Sequence, residues 1–338
     1  MCAVIVSKSS GLNDDLWNEW APLIRSFISD ADKDKNKYDD ILGKMFKVNK
    51  SDKFGEKNTG LTEFADFLIT GEGNPTLGGA GILDDLQETF PKLIEHEELM
   101  KKLVITKSMV EDSQVDMIKQ KTANFVKAYK RSRAQYATNL LCTEGTTFDF
   151  GGQTGLDKTT GDTKALFATD HPGKKAGVPV QSNVFTNAFS PDILVRLASI
   201  MRNFKNDSGN KMGYTANKII IPGDCWELEE QIRRIIRSEL LPGTANNDIN
   251  TQKGMWELVV NPLWEHTAGT APYIIMSDEA NDELMGSMFF DRTDLQMKEH
   301  VDIDTHNLEY SGRFRMSGGF FNWRHVIMGG ATTGTTLA

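Results

Sequence analysis

The stretch SQVDMIKQKTANFVKAYKRSRAQYATNLL, residues 113–141, decides the fold of this chain. Residues suited to a packed surface recur in it every three or four positions, which is the spacing of one face of a helix. They are Val115, Ile118, Thr122, Phe125, Tyr129, Tyr136 and Leu140. The pattern predicts one helix of about 30 residues and about 45 Å, much longer than an average helix. It lacks the heptads of a coiled coil, so we expect other segments of the chain to pack along it.

The polar side of this predicted helix is strongly basic. Its cations are Lys119, Lys121, Lys127, Lys130, Arg131 and Arg133. The whole chain, in contrast, has 47 acidic and 38 basic residues and a formal net charge of −9. A basic stripe is typical either of a solvated helix face or of a surface that meets phosphate or an acidic partner. The acidic balance of the chain argues against sequence-specific DNA recognition and fits a soluble protein, or one that lies beside DNA without gripping it.

Length and composition indicate a folded, soluble protein. The 338 residues suffice for two ordinary domains or for one large domain with insertions, and 39% apolar residues can form a sizeable core. The three cysteines, Cys2, Cys142 and Cys225, lie far apart without a CxxC pair, which argues against a disulfide framework or a structural zinc site. No apolar run is long enough for a transmembrane helix, and the N-terminus lacks a signal-peptide pattern. We therefore expect a protein made in a reducing cytosol.

The segments before the long helix are predicted to be extended. An amphipathic helical segment is followed by the charged run DADKDKNKYDD at residues 30–40, so the N-terminal region is interpreted as an arm held by a short helix, with a solvated linker. Glycine-rich turns then surround a short apolar strand from Phe64 to Ile69, and residues 93–109 alternate as a second strand. A β-excursion of this length needs a function or a partner.

The segments after the long helix alternate between helices and strands. A helix with Ser190 as its N-cap and Pro191 at its first position follows a loop-rich insertion at residues 143–186. Asp224 is predicted to cap the next helix, with Glu227 completing a capping box. Predicted strands occupy the apolar runs at residues 218–222, 256–260, 273–276 and 287–290, and a polar loop occupies residues 241–254. About the last fifty residues alternate as long strands that pair with each other or with the excursion.

The segment ALFATDHP, residues 165–172, is the candidate for catalysis or metal binding. Asp170 and His171 have the chemistry of a base with its orienting acid, or of two metal ligands. Adjacent residues of an extended segment point in opposite directions, however, so the two side chains cannot easily meet. The sequence has none of the usual metal, phosphate-loop or dinucleotide motifs, and Cys225 beside Asp224 is a weak nucleophile signal. We therefore expect no catalytic, cofactor-binding or metal-binding residues, while a hydrolase built on Asp170 and His171 stays open as an alternative.

Three motifs, in their order along the chain, resemble those of a known family. They are ALFATDHP at residues 165–172 followed by QSN at 181–183, SPDIL…KIIIPGD…WELEEQI at 190–232, and EYSGRFRMSGGFFNWRHVIMGGA at 309–331. The chain resembles the major capsid proteins of tailed bacteriophages with the HK97-like fold, most closely the Mu-like major head subunit group. The resemblance covers about residues 40–331 and implies that ALFATDHP is a structural loop.

The resemblance implies an α+β fold, which the order of elements also favours, and a division into five parts. These are an N-terminal arm at residues 1–50, an extended loop (E-loop) at 51–108, a peripheral domain at 109–186 with its spine helix at 113–141, an axial domain at 187–290, and, at 291–338, the return strands of the peripheral domain with the C-terminal end of the axial domain. It also implies a structural protein without enzymatic activity. Its copies would form the hexamers and pentamers of an icosahedral shell around double-stranded DNA.

The resemblance further implies partners and contact residues. DNA would be packaged without sequence specificity, separate scaffolding, portal and decoration proteins are expected, and neither a cofactor nor a membrane is involved. The protein would be found in the virion after assembly in the host cytoplasm. The expected contacts are a DNA-facing stripe of Lys119, Lys127, Lys130, Arg131 and Arg133, an inter-subunit loop with Phe64, Phe67 and Ile69, and a capsomer-axis loop with Asn246, Asn247 and Asp248.

Two other classes of structural protein stay open as alternatives. An encapsulin-like shell protein of a cellular nanocompartment shares the fold but encloses an enzyme, so the cargo separates it from a phage head. A phage tail or portal protein would differ in the shape of the particle that it forms.

Overall fold

Helices and strands of very different lengths alternate along the chain. In this computed structural model, the described residues are 5–7, 15–33, 36–59, 62, 87–240, 249–266, 268–302 and 304–337. The helices within them are α1 (Asp15–Lys33), α2 (Lys37–Met45), α3 (Lys107–Glu111), α4 (Val115–Cys142), α5 (Pro191–Arg202), α6 (Trp226–Arg237) and α7 (Asp278–Leu284). The strands within them are β1 (Ile5–Ser7), β2 (Lys47–Lys50), β3 (Gly55–Asn58), β4 (Lys92–Glu95), β5 (Glu97–Ile105), β6 (Thr147–Phe150), β7 (Gln153–Asp157), β8 (Lys218–Pro222), β9 (Glu257–Asn261), β10 (Tyr273–Met276), β11 (Ser287–Val301), β12 (Leu308–Phe320) and β13 (Val326–Gly329).

The predicted long helix is α4, which spans 28 residues. Its apolar face lies against a five-stranded sheet, where Tyr129 meets Phe314 edge-on with ring centroids 4.7 Å apart. A Cβ atom at Gly312 of this sheet would lie 2.7 Å from the ring of Phe125, so glycine is needed for the helix to approach this closely. The prediction of one long helix with other segments packed along it is confirmed.

The five-stranded sheet contains β1, β11, β12 and β5 in that order, and β2 also pairs with β11. β11 and β12 are antiparallel from Ser287 opposite Phe320 onward, and β12 pairs with β5 in the same sense. The C-terminal strands thus pair with each other and with the excursion, as predicted. The predicted strand at residues 287–290 is the first part of β11, which continues to Val301. All residues from 287 to 291 are buried, whereas later ones are buried at alternate positions, so the hydrophobic pattern changes within one strand.

A second sheet contains β13, β10, β8 and β9 in that order. β10 is antiparallel to β13 and to β8, whereas β8 and β9 are parallel. Every residue of β8, β10 and β13 is buried, which explains the continuous apolar runs that predicted strands at residues 218–222 and 273–276. α5 lies beside β13 and α6 beside β9, and each helix buries one apolar face.

The two helix caps that the sequence predicts differ in outcome. Ser190 caps α5 as predicted, since its hydroxyl oxygen accepts a hydrogen bond of 3.2 Å from the backbone N–H of Ile193. The predicted cap by Asp224 is wrong, and Cys225 is the N-cap of α6 without a side-chain hydrogen bond. The Asp224 carboxylate instead accepts the backbone N–H of His266 at 2.8 Å. This partner comes from the segment after β9, so a local capping pattern could not reveal it.

The N-terminal segment packs more closely than predicted. α1 and α2 both lie against α4, and Ile24 and Ile28 are completely buried in the main core. The charged run at residues 30–40 is not a solvated linker, because it contains the end of α1 and the start of α2, where Tyr38 is buried. Asn36 caps α2 by accepting the backbone N–H of Tyr38 at 3.3 Å. One apolar face on each helix is enough to hold it against α4.

The β-excursion begins and ends in an antiparallel ladder of β3 and β4. The prediction of a single strand at residues 93–109 is wrong, because the segment divides at His96 into β4 and β5, which belong to different sheets, and then forms α3. At this point the side chain of His96 contacts two other segments of the chain. Its ring nitrogens lie 3.1 Å from the hydroxyl oxygen of Ser51 and 2.9 Å from that of Ser317.

Candidate functional site

Asp170 and His171 do not contact each other, as expected from their adjacent positions. Asp170 is exposed and forms an ion pair with Lys164. His171 is completely buried, and its Nδ1 lies 2.7 Å from Oδ2 of Asp162. The acid that faces the imidazole therefore comes from a turn nine positions earlier in the chain, which the sequence analysis did not single out.

His171 belongs to a buried group of four side chains, which we call the His171 cluster: Asp162, His171, Asn183 and Trp323. The Nε2 atom of His171 lies 3.3 Å from Oδ1 of Asn183, and the ring stacks on Trp323 with centroids 4.2 Å apart. The Asn183 side chain also donates to the carbonyl oxygen of Val326 at 3.3 Å. The cluster thus connects the loop-rich insertion to β13, far away in the sequence.

The surroundings of Asp162 stabilise its ionised form. Burial, the largest influence, opposes ionisation, but hydrogen bonds from His171, Thr160 and the backbone N–H of Lys164 outweigh it and hold the pKa of Asp162 below its ordinary value. Both ring nitrogens of His171 face protein oxygen atoms, and solvent does not reach the ring. A general base must reach the proton that it removes, so Asp170 and His171 do not have the geometry of a hydrolytic dyad.

A second histidine, His325, contacts a serine, and sequence analysis did not identify it. Its Nε2 lies 2.6 Å from the hydroxyl oxygen of Ser287, and both residues are completely buried. Burial lowers the pKa of His325 to about 3, so the ring is neutral at physiological pH. Because no solvent reaches either side chain, this contact also has a structural role.

The described part of the chain contains neither a group of side chains suited to a metal ion nor a helix suited to crossing a membrane. Among those residues, no three His, Cys, Asp or Glu side chains come together in a way that could hold a metal ion. None of the helices in the same residues combines the length and the apolar character that crossing a bilayer requires.

Two of the five residues predicted to form the basic stripe are buried, so that part of the prediction is wrong. Lys130 Nζ donates to the carbonyl oxygen of Asp32 at 2.8 Å and lies 3.4 Å from the Asp39 carboxylate. Arg133 forms ion pairs with Asp39 and with Asp291 of β11. Positions 130 and 133 are almost one helical turn apart, on the face of α4 that α1, α2 and β11 cover. Burial raises the pKa of Asp291, although Arg133 acts in the opposite direction.

The other three cations of the stripe are exposed on α4. Lys119 lies over the ring of Phe27, 5.9 Å from its centroid. Lys127 and Arg131 are one helical turn apart, and neither forms an ion pair with another described residue. The exposed basic surface is therefore smaller than predicted and is centred on Lys127 and Arg131. Its contact with DNA stays a prediction.

The other predicted contact residues lie outside the described part of the chain. These are the E-loop residues Phe64, Phe67 and Ile69, and the loop residues Asn246, Asn247 and Asp248. Some large apolar side chains within the described part are strongly exposed, namely Phe54, Met100, Val180, Trp226 and Ile249. Exposed apolar side chains that group together mark contact surfaces.

A model of the phage capsid protein family matches residues 101–328 of this chain, which is more than half of its 338 residues. A search of curated proteins found no match.

Three solved structures are similar to the chain over most of their length. The capsid of a native GTA particle has 11% sequence identity and a TM-score of 0.56, with 87% of this chain and 90% of that chain covered. A structure of Mycobacterium phage Patience has 11% identity and a TM-score of 0.53, with 97% and 90% covered. The capsid of Ralstonia phage GP4 has 11% identity and a TM-score of 0.52, with 84% and 86% covered. At this identity the likeness establishes the fold alone, and it confirms the predicted α+β class.

Proposed function

The chain belongs to the phage capsid protein family and is a structural protein of a phage shell, and we propose that its copies form the hexamers and pentamers of an icosahedral head around double-stranded DNA. One observation carries the proposal. The chain shares its overall fold with capsid structures over most of their length, as the resemblance to HK97-like proteins predicts.

We propose for the chain the division that the resemblance implies. Residues 1–50 are the N-terminal arm, 51–108 the E-loop, 109–186 the peripheral domain with α4 as its spine helix, and 187–290 the axial domain. Residues 291–338 supply the return strands of the peripheral domain and the C-terminal end of the axial domain. The boundary between residues 290 and 291 falls inside β11, so in this division one continuous strand serves both domains.

The family and the structural matches point to a non-enzymatic protein, and we propose that the chain has no catalytic role. The two histidines that contact an acid or a serine, His171 and His325, support this proposal because both are closed to solvent. Their contacts hold distant segments together, which is the role of a structural loop.

The proposed partners are further copies of the chain, packaged DNA without sequence specificity, and separate scaffolding, portal and decoration proteins. Lys127 and Arg131 are the residues that we propose to face DNA, because both are exposed and unpaired among the described residues. The shell belongs to the virion, and we propose assembly in the host cytoplasm. The narrower resemblance to the Mu-like head subunits rests on the three sequence motifs and stays a prediction.

Electron microscopy of the purified full-length chain tests the proposal, alone and after co-expression with the other head proteins of its phage. Closed particles with fivefold and sixfold clusters are the expected result. Nuclease-protected DNA inside particles made during infection would separate a phage head from an encapsulin-like compartment, which would hold protein. A chain that stays monomeric under all these conditions, or that forms tubes or a single ring, would contradict the proposal.

A further inference from the structure

A groove lies beside the N-terminus of α6. Its lining combines apolar side chains, among them Phe189, Leu228 and the 72% exposed Trp226, with polar ones such as Gln231 and His266. The groove has a volume of about 600 Å³ and is open to solvent. An exposed tryptophan at a recess is typical of residues that dominate protein–protein contacts. We call this surface the Trp226 groove.

A second apolar surface lies after the other end of α6. Leu240 and Ile249 face each other in an antiparallel bridge, which places their side chains on the same face. They are 47% and 79% exposed. The buried side chain of Asn250 connects the residue after Ile249 to the end of α6 by donating to the carbonyl oxygen of Ser238 at 2.9 Å. We call it the Ile249 patch.

The charges of α6 differ between these two surfaces. In the middle of the helix, Glu229 pairs with Arg233 and Glu230 with Arg234. Glu227 at the groove and Arg237 at the end next to the patch form no ion pair with any described residue. Their signs suit the helix dipole, but the dipole does not explain why each unpaired charge lies beside an exposed apolar surface.

The two surfaces are complementary in shape and in charge. One is concave and carries an unpaired acid, whereas the other presents two exposed aliphatic side chains and an unpaired base. They lie about 17 Å apart along the helix axis, too far for one copy to join its own groove and patch. A contact between two different surfaces of identical copies is heterologous and closes into a ring when the rotation between copies permits it.

We propose that the Ile249 patch of one copy binds in the Trp226 groove of the next copy, with Arg237 facing Glu227. This contact rests on the proposed function, since it connects neighbours within a hexamer or pentamer. Leu240 and Ile249 cover the apolar side chains of the groove, and the charge pair at the rim sets the direction in which copies join. Every copy uses both surfaces, so the ring has no free groove after closure.

Charge exchange tests the contact in the full-length chain. Glu227→Arg or Arg237→Glu alone places like charges together at every contact, so each should lower the yield of assembled particles at least about tenfold by mass photometry. The double variant Glu227→Arg/Arg237→Glu restores opposite charges and should return the yield to within about threefold of wild type. The matched control is Glu230→Arg/Arg234→Glu. These two residues pair with each other within one copy, and the exchange preserves that pair.

A disulfide test uses a cysteine that the groove already has. Cys225 lines the groove, so Ile249→Cys should produce, on oxidation, covalent multimers that end at five and six copies. Burial and the neighbouring Asp224 raise the pKa of Cys225 to about 11, so the oxidation is run at about pH 9, where more thiolate is present. The Cys225→Ser/Ile249→Cys variant is the control and should stay monomeric in denaturing gels.

The outcomes separate this contact from the proposed function. If wild type assembles while the single charge variants assemble equally well, or the multimers persist without Cys225, the contact is wrong and the shell function stands. If the double variant assembles no better than the single variants and no covalent multimer forms, the groove has another occupant and the contact is also wrong. If wild type forms no particles under any of the conditions above, the proposed function itself fails.

Discussion

The imidazole of His171 lies parallel to the indole of Trp323, with ring centroids 4.2 Å apart and planes inclined by 10°. The two residues are separated by almost half of the chain, and the contact holds the loop-rich insertion against the segment that leads into β13. On its other edge the imidazole meets the Asp162 carboxylate. A motif that suggests catalysis in the sequence thus serves as an internal connection.

Replacing His171 by alanine should destabilise the unassembled chain by about 3–5 kcal/mol, because it removes one hydrogen-bond partner of the buried Asp162 and leaves a cavity beside Trp323. Urea unfolding followed by circular dichroism measures the change. Asp170→Asn is the matched control, since Asp170 and Lys164 form an exposed pair, and it should cost less than about 1 kcal/mol. Equal losses of stability in the two variants would show that the His171 cluster stabilises the fold no more than the exposed pair does.

The buried His325 should make stability fall as the solution becomes acidic. Burial lowers its pKa to about 3 in the folded chain, so between pH 6.5 and about 3 the unfolded chain binds a proton that the folded chain excludes. Stability from this residue is therefore complete above pH 6.5 and falls by at most about 1.4 kcal/mol per pH unit below it, or about 3 kcal/mol by pH 4. Urea unfolding between pH 4 and pH 7 measures the slope.

His325→Gln removes the titrating group and is the comparison for this pH series. The variant should be less stable at pH 7, because it changes a buried hydrogen bond to Ser287. Its stability should nevertheless depend less on pH than that of wild type. A slope that persists unchanged in the variant would show that another group causes the acid loss.

Arg133 and Asp291 should contribute to stability as one coupled pair. Arg133→Met removes the arginine that pairs with the buried Asp291 carboxylate and should cost about 3–5 kcal/mol, whereas Arg133→Met/Asp291→Asn should cost clearly less than the two single changes together. Arg131→Met, on the exposed face of the same helix, should change stability by no more than about 0.5 kcal/mol. Urea unfolding of the four variants and wild type gives the coupling energy, and strict additivity would contradict the pairing.

Lys127 and Arg131 should contribute to DNA binding if the exposed part of the basic stripe faces the genome. Lys127→Gln/Arg131→Gln removes two phosphate contacts, so the slope of log affinity for duplex DNA against log salt should become shallower by about 2. Fluorescence titrations of the unassembled chain at several salt concentrations measure it. Lys101→Gln/Lys211→Gln changes the net charge equally on other surfaces and should leave the slope as in wild type. An equal change of slope in both variants would mean that net charge alone sets the salt dependence of DNA binding.

Local sequence patterns correctly predicted the helices and strands whose burial depends on the spacing of their own apolar residues. The recurrence of apolar residues predicts α4 to within a few residues, and the run KIIIP predicts β8 because both of its faces are covered. The Ser190 cap is also local, since the hydroxyl bonds an N–H three residues later. Predictions went wrong where neighbouring strands join different sheets, as at His96, and where a distant segment competes for a cap, as at Asp224.

The sequence by itself determined the α+β class, the long helix, the buried strands and, through the order of three motifs, the family. These features depend on spacing between near neighbours, which the sequence displays directly. Only the tertiary structure decided that Lys130 and Arg133 are buried while Lys127 and Arg131 stay exposed, and that Asp162, not Asp170, faces His171. A charged side chain has the same local pattern whether water or a buried acid neutralises it, because its partner comes from a segment that lies next to it only after folding.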